Sequence, residues 1–134
     1  MTPPVTAPAL FDEIAFDAAG LVPVIAQQYD TNEILMVAWM NRDAVAETLA
    51  TGRVCYWSRS RQALWRKGET SGQVQRLIEL RLDCDGDTML ALVDQTGVAC
   101  HTGRRSCFFR AARDGDWHVI AEVEKSPDEL YGEH

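Results

Sequence analysis

The stretch QRLIELRLDCDGDTMLALV, residues 75–93, contains two strand patterns joined by an acidic, glycine-containing segment. The side chains of residues 75–82 alternate between two faces, which places Leu77 and Leu80 on opposite sides. The second run is rich in apolar side chains. A period of two indicates a β-strand, and two such runs around a polar turn indicate a hairpin. We therefore expect an antiparallel hairpin that turns at residues 84–87.

Similar patterns occur on both sides of this hairpin, so most of the chain is predicted to be β-structure. The further strands are predicted at residues 22–28, 34–40, 54–58, 108–111 and 117–123. An Asp114-Gly115 turn joins the last two, and this dipeptide is typical of tight hairpins. Residues 59–73 are polar and basic and are predicted to form a long loop, which in a compact domain is commonly functional.

One main helix is predicted from Arg42 to Ala50. Asn41 is a favourable N-cap, and Gly52 lies just past the other end, where a left-handed glycine commonly terminates a helix. The side chains expected on the buried side are Ala44, Val45 and Leu49. A short terminal helix is predicted after Ser126. The predicted fold class is α+β, predominantly antiparallel β.

The length and composition fit one domain that covers residues 1–134. A chain of 134 residues with a 46% hydrophobic share is expected to fold as a single unit. Residues 1–9 are rich in proline and alanine and are expected to be disordered. The apolar runs are too short to span a bilayer, and the N-terminus lacks the features of a secretory signal. We expect a cytoplasmic protein without membrane association, in which the four cysteines stay reduced.

Charge is unevenly distributed along the chain. The net charge of −7 argues against a nucleic-acid partner. Residues 53–81 carry seven basic and two acidic side chains, residues 82–103 carry four aspartates, and residues 104–113 carry four arginines. Two basic segments around one acidic segment favour a small anionic ligand and a metal ion over a long polyanion.

Three aspartates, Asp83, Asp85 and Asp87, alternate in the acidic segment. In an extended backbone they would lie on one side and Cys84 on the other. Close carboxylates repel one another unless a cation lies between them, and hard oxygen ligands favour Mg²⁺ or Ca²⁺. An EF-hand is rejected because the position of Gly86 and the strand that follows do not fit its loop. The alternative is a solvated acidic turn.

Three cysteines, Cys84, Cys100 and Cys107, fall at predicted strand ends or turns, where their side chains could converge. Zinc prefers thiolates, and three protein ligands with one open position is the arrangement of catalytic zinc. The alternative is that they are small buried thiols. His101 directly follows Cys100 and is a candidate general base, metal ligand or loop hydrogen-bonding residue. Cys55 is assigned to packing.

In the basic loop, arginine and lysine alternate with serine, threonine and glycine, which are residue types that hold phosphate oxygens. Two tryptophans could stack on a base. No Walker or dinucleotide-binding motif occurs. The alternative is a solvated basic loop. The candidate substrate-binding residues are Trp57, Ser58, Arg59, Ser60, Arg61, Trp65, Lys67, Gly68, Glu69, Thr70, Ser71 and Gly72, with Arg104 and Arg105 as further candidates.

Three segments resemble the signature regions of the phosphoribosyl-AMP cyclohydrolase family. They are WSRSRQALWRKGETSG (57–72), DCDGD (83–87) and ACHTGRRSCF (99–108), and LMVAWMN (35–41) resembles the strand that precedes them in the family. The segments occur together and in order, and the resemblance covers roughly residues 20–110. Cys55 departs from the family pattern, in which histidine or threonine is more frequent.

The resemblance implies that the chain opens the adenine ring of 1-(5-phosphoribosyl)-AMP between N1 and C6 by hydrolysis, a step of histidine biosynthesis. It implies a homodimeric pseudo-barrel of two packed sheets, with one zinc per subunit shared across the interface, and the chain length fits the single-function form. On this reaction we expect His101 to take a proton from the zinc-activated water. The implied ligands are Cys84 of one chain with Cys100 and Cys107 of the other for zinc, and Asp83, Asp85 and Asp87 for Mg²⁺.

Two other classes of function are considered. A non-catalytic, zinc-stapled dimerisation module would explain the cysteines and hairpins but not the basic loop or His101. A nucleotide-binding regulator would explain the loop but would not need an activated water. Catalytic turnover distinguishes both from an enzyme.

Overall fold

The structure is a computed structural model that describes residues 8–131. Its helices are α1 (Pro8–Asp12), α2 (Arg42–Thr51) and α3 (Pro127–Tyr131). Its strands are β1 (Val22–Gln28), β2 (Ile34–Met40), β3 (Cys55–Ser58), β4 (Ala63–Arg66), β5 (Gln75–Leu82), β6 (Met89–Gln95), β7 (Arg110–Arg113) and β8 (Asp116–Val119). None of the helices in the described residues is long and apolar enough to cross a membrane.

Four strands form the main sheet in the order β2-β1-β6-β5. The strand β1 pairs antiparallel with β2 and parallel with β6, and β6 pairs antiparallel with β5. Alternate residues of β1 and β6 are buried, because a strand directs successive side chains to opposite faces. The predicted α+β class with mostly antiparallel sheets is confirmed. Residues 8–131 do not form a closed barrel, and the two remaining sheets have two strands each.

The strand β5 contains a bulge that its sequence pattern does not reveal. Its pairing with β6 shifts between Leu77 and Glu79. The residue between them, Ile78, is exposed, whereas Leu77 and Leu80 both pack against the core. The prediction that these two leucines lie on opposite faces is wrong, because one extra residue reverses the alternation of the side chains that follow.

The predicted caps of α2 are confirmed. The side chain of Asn41 accepts a hydrogen bond of 2.9 Å from the helix backbone, and Gly52 ends the helix with φ of 74°. The buried residues of the helix are Ala44, Val45 and Thr48. Leu49 is partly buried and packs against the core, as predicted. Thr48 lies on the buried side as well, because its hydroxyl bonds both the N–H and the carbonyl of Cys55, at 3.0 and 3.2 Å. These bonds attach α2 to β3.

A second hairpin, β3 and β4, occupies part of the segment predicted to be a long loop. The two strands pair antiparallel, and the rings of Tyr56 and Trp65 lie 5.6 Å apart. Arg66 makes a 2.8 Å ion pair with Glu47 of α2. The loop prediction is therefore wrong for Ala63–Arg66, because packing and pairing with a neighbouring strand outweigh the polar composition of the segment.

The two ends of the described chain differ in how well they were predicted. The Asp114-Gly115 turn joins β7 and β8, and both of its residues have positive φ. The terminal helix begins with a capping box, in which Ser126 and Glu129 exchange hydrogen bonds of 3.0 and 3.2 Å. At the other end, α1 begins at Pro8, and the expected disorder of residues 1–9 stays a prediction. Residues 1–7 lie outside the described residues.

Candidate functional site

Two of the candidate zinc ligands, Cys100 and Cys107, lie together. The loop between them folds back on itself through a hydrogen bond of 3.1 Å from the Cys100 N–H to the Arg104 carbonyl. The Cys107 N–H then bonds the Leu35 carbonyl of β2 at 2.7 Å, which attaches the loop to the main sheet. Desolvation and contact with the Cys100 thiol raise the pKa of Cys107 to about 12. A buried thiol and a neighbouring thiol near the surface form a donor pair whose ionised form a soft cation would stabilise.

The third candidate, Cys84, lies apart from this pair. It is exposed at the turn between β5 and β6, where its Sγ lies 3.7 Å from a carboxylate oxygen of Asp85. Within residues 8–131 no group of three or more histidine, cysteine or acidic side chains is close enough to hold a metal ion. One copy of the chain therefore brings together two of the three thiols. The donor pair fits zinc, and a complete three-thiolate set requires Cys84 from elsewhere.

The three aspartates lie in the same turn and are exposed. The segment is not extended, so the geometric argument that placed all three carboxylates on one side is wrong. The turn instead brings Asp83 and Asp87 together, and Asp83 Oδ1 accepts a hydrogen bond of 3.0 Å from the Asp87 N–H. The hydrogen bond and negative charge of Asp83 raise the pKa of Asp87. A cation at this turn would relieve that repulsion.

The candidate base His101 is exposed in the loop that joins the two cysteines. A hydrogen bond of 3.0 Å from the Gly103 N–H to the Cys100 carbonyl closes the turn around it. Gly103 has φ of 90°, and a Cβ there would lie 1.6 Å from the Lys125 carbonyl oxygen. Glycine is therefore required at this position, both for the backbone conformation and for the close contact. The turn holds His101 next to the thiol pair.

The two adjacent arginines of this loop have different surroundings. Arg104 donates from Nε to the Ala121 carbonyl at 2.9 Å, and its guanidinium lies 4.1 Å from the centre of the Phe109 ring. Arg105 bonds the Gln28 side chain at 3.0 Å and makes an ion pair of 3.2 Å with Glu33. It also donates to the carbonyls of Gln95 and Gly97. Residues 100–107 form the cysteine loop. Most donors of Arg105 are thus used to hold the cysteine loop against the main sheet.

The β3–β4 hairpin and the turn that follows it line a cavity of about 330 Å³. The lining residues are Arg61, Trp65, Lys67, Gly68, Glu69, Thr70 and Ser71. Gly68 has φ of 84°, and a Cβ there would lie 2.5 Å from the backbone of Gln73. The lining combines two basic residues with two hydroxyl residues and one glutamate, and the basic and hydroxyl groups suit a phosphate group.

The other predicted substrate-binding residues do not line this cavity. Ser58 and Ser60 lie at the tip of the β3–β4 hairpin with their hydroxyls 3.4 Å apart, and Trp57 is half-buried in β3. The guanidinium of Arg59 lies 4.6 Å from the centre of the Trp39 ring. The Gly72 N–H closes the glycine-rich turn by bonding the Gly68 carbonyl at 2.7 Å.

A buried network of glutamines was not predicted. Gln75 accepts from the Tyr56 hydroxyl at 2.7 Å and donates to Gln95 at 2.8 Å. Gln95 also donates to the carbonyls of Thr96 and Val98, which lead into the cysteine loop. Gln73 accepts from the Val98 N–H at 3.0 Å. The only sequence signal is that these glutamines lie in or beside apolar strands. The network, which includes Tyr56, therefore holds the backbone that leads into the cysteine loop.

Comparison with known proteins identifies the family of the chain. Residues 36–109 match the family model of phosphoribosyl-AMP cyclohydrolase. A phosphoribosyl-AMP cyclohydrolase of Rhodospirillum centenum is 72% identical over 124 residues, which cover 92% of this chain and 93% of that protein. Those of Granulibacter bethesdensis and Paramagnetospirillum magneticum are 68% and 67% identical, each over 92% of this chain and over 97% and 93% of their own lengths. The chain belongs to the phosphoribosyl-AMP cyclohydrolase family.

Proposed function

We propose that the chain hydrolyses the adenine ring of 1-(5-phosphoribosyl)-AMP between N1 and C6, and that it requires zinc to do so. The product is the formimino carboxamide ribonucleotide of histidine biosynthesis. The observation that carries the zinc requirement is a folded loop that brings Cys107 near enough to the buried Cys100 for that thiol to raise its pKa, with the exposed His101 next in the chain. Family membership supports the reaction itself.

The proposed zinc ligands are Cys100 and Cys107 of one subunit and Cys84 of its partner. When bound, zinc supplies a Lewis acid that lowers the pKa of a water molecule towards ~7. Cys100 is further held by its neighbour Thr102, whose Oγ1 lies 3.0 Å from its Sγ. Three thiolates leave a fourth position open, as in catalytic zinc sites.

His101 is the proposed general base. It accepts a proton from the water as the water oxygen bonds to C6 of the adenine ring. The N1–C6 bond then breaks, and N1 takes up a proton, so that one water molecule is consumed in each turnover. His101 is proposed for this role because it is exposed and directly follows Cys100 in the chain.

The basic cavity is the proposed site for a phosphate of the substrate, with Trp65 available to stack on a base. Trp57, Ser58, Arg59 and Ser60 at the neighbouring hairpin tip remain candidates for the rest of the substrate, as does Arg104. Arg105 is proposed to affect substrate binding indirectly, because it holds the cysteine loop in position. The acidic turn is the proposed Mg²⁺ site, through Asp83, Asp85 and Asp87.

A homodimer is supported by two apolar surfaces of the chain. On the outer face of the main sheet, Ile25 lies beside Val37 and Leu90, and Val37 is 51% exposed. On the C-terminal hairpin, Trp117 and Val119 are 65% and 60% exposed. Contiguous apolar surface of this kind is typical of subunit interfaces. A second copy could cover these faces, complete the pseudo-barrel and bring Cys84 to the thiol pair.

Turnover of phosphoribosyl-AMP, followed by near-ultraviolet absorbance, is expected to depend on zinc. A strong chelator should abolish turnover, and added Zn²⁺ should restore turnover, because the water is activated only at the metal. Turnover that survives complete removal of zinc would contradict the mechanism. A folded, zinc-loaded protein without turnover would favour a zinc-stapled dimerisation module instead.

A further inference from the structure

Lys67 is a buried lysine in a chain that has only two lysines. It is 6% exposed, and its Nζ donates a hydrogen bond of 2.8 Å to the carbonyl of Ala99, the residue before Cys100. Its ammonium group also lies 5.4 Å from the centre of the Trp65 ring. A charge buried to this extent requires partners of opposite sign or well-oriented dipoles.

The partners of the Lys67 ammonium are the Ala99 carbonyl and the face of the Trp65 ring, and the two thiols lie nearby. Burial lowers the pKa of Lys67, and the nearby Cys107 and Cys100 act in the opposite direction. The influence is mutual, since the lysine opposes the rise in the pKa of Cys107. The hydrogen bond from Nζ to the Ala99 carbonyl places this buried ammonium next to the residue that precedes Cys100.

The backbone of Lys67 belongs to a different element. Its N–H bonds the Val54 carbonyl at 3.1 Å, and Gly68 follows it into the glycine-rich turn. The residue thus connects the phosphate cavity, through its backbone, to the cysteine loop, through its side chain. Because Lys67 is 6% exposed and its Nζ bonds the Ala99 carbonyl, little of the ammonium is open to a phosphate in the cavity.

We propose that Lys67 is a positioning residue for the thiol pair and not a ligand of the substrate phosphate. It holds the Ala99 carbonyl and so fixes the backbone that carries Cys100. It also offsets the excess negative charge that three thiolates place around a divalent ion. This role rests on the proposed zinc site, in which Cys100 and Cys107 are ligands. Groups that support metal ligands in this way commonly change metal affinity by ~10- to 100-fold when they are replaced.

The test measures Co²⁺ binding to the zinc-free full-length chain, followed by the thiolate-to-cobalt charge-transfer absorbance. Lys67→Met is expected to weaken Co²⁺ binding by about 10- to 100-fold. Lys67→Gln keeps a hydrogen-bond donor but loses the positive charge, and it is expected to weaken Co²⁺ binding by at least about 10-fold. Circular dichroism verifies that each variant folds, and either folded variant is sufficient for the test. Lys125→Met is the matched control, since Lys125 is exposed, and should bind Co²⁺ as the parent chain does.

Kinetics separates the two roles of Lys67. A positioning residue predicts a fall in kcat at limiting Zn²⁺, with KM close to the parent value. Variants that bind Co²⁺ like the parent but show a raised KM would overturn the proposal and return Lys67 to the phosphate site. A parent chain without any charge-transfer band would overturn the zinc site itself, and the role of Lys67 with it.

Discussion

Replacing Cys107 with alanine is expected to abolish zinc retention and turnover together. The substitution removes one sulfur of the only pair of adjacent thiols in the described chain, and the remaining Cys100 and Cys84 cannot hold zinc at a catalytic site. Because Cys107 is partly exposed and its backbone N–H keeps its bond to the main sheet, the fold should be preserved. Zinc content by elemental analysis and turnover by absorbance measure the two effects on one preparation.

The matched control is Cys55→Ala. Cys55 is fully buried in β3, where its Sγ lies 3.8 Å from the Tyr56 carbonyl oxygen, and it takes no part in the proposed site. This variant should keep its zinc and its turnover. A Cys107→Ala protein that is active without zinc would contradict the assignment of the ligands.

Replacing His101 with alanine is expected to leave zinc bound and to slow turnover by about 10²- to 10⁴-fold, the usual contribution of a general base. The imidazole lies on an exposed turn that is closed by backbone bonds of Cys100 and Gly103, so its loss should not disturb the thiols. The measurement is kcat at saturating zinc, with the zinc content of each preparation determined in parallel.

His118→Ala is the control for this experiment. His118 lies on the exposed strand β8, where its ring bonds the Arg113 carbonyl at 3.0 Å, and its replacement should not change kcat. Unchanged turnover in His101→Ala would remove His101 from the mechanism. Loss of zinc from this variant would instead identify it as a metal ligand.

The parts of the fold that the sequence predicts are those determined by local chemistry. Asn41 and Gly52 delimit α2 because a side-chain acceptor and a left-handed glycine satisfy the ends of a helix. The hairpin turns at residues 84–87 and Asp114-Gly115 follow from the same kind of local preference. The strands 22–28 and 34–40 were predicted with the bounds observed, whereas the last two strands lie at Arg110–Arg113 and Asp116–Val119 and not at 108–111 and 117–123.

The parts that the sequence does not predict depend on contacts between distant segments. The parallel pairing of β1 with β6 is one, since a strand pattern does not specify its partner. The short strand β4 is another, because its four residues do not alternate between apolar and polar and its pairing with β3 decides its structure. The bulge at Ile78 leaves no trace in a run of apolar and charged residues.

In the candidate site, too, the sequence indicates some placements and not others. The position of Cys100 and Cys107 in turns allowed them to meet, and they do. The different environments of Arg104 and Arg105 could not be predicted, because the two residues are adjacent and identical in type. The same holds for Lys67, whose sequence neighbours suggest a phosphate loop while its side chain enters the core beneath the cysteines.

The measurement that tests the proposed shared zinc site most directly is turnover after subunits of two inactive variants are mixed. Cys84→Ala and Cys107→Ala should each be inactive alone. In a mixed dimer, one of the two sites receives Cys84 from the Cys107→Ala subunit and the intact Cys100–Cys107 pair from the other. With random pairing, half of the dimers are mixed and each has one intact site, so about a quarter of the parent turnover should return. If no turnover returns after verified subunit exchange, the three cysteines do not form a site shared between two chains.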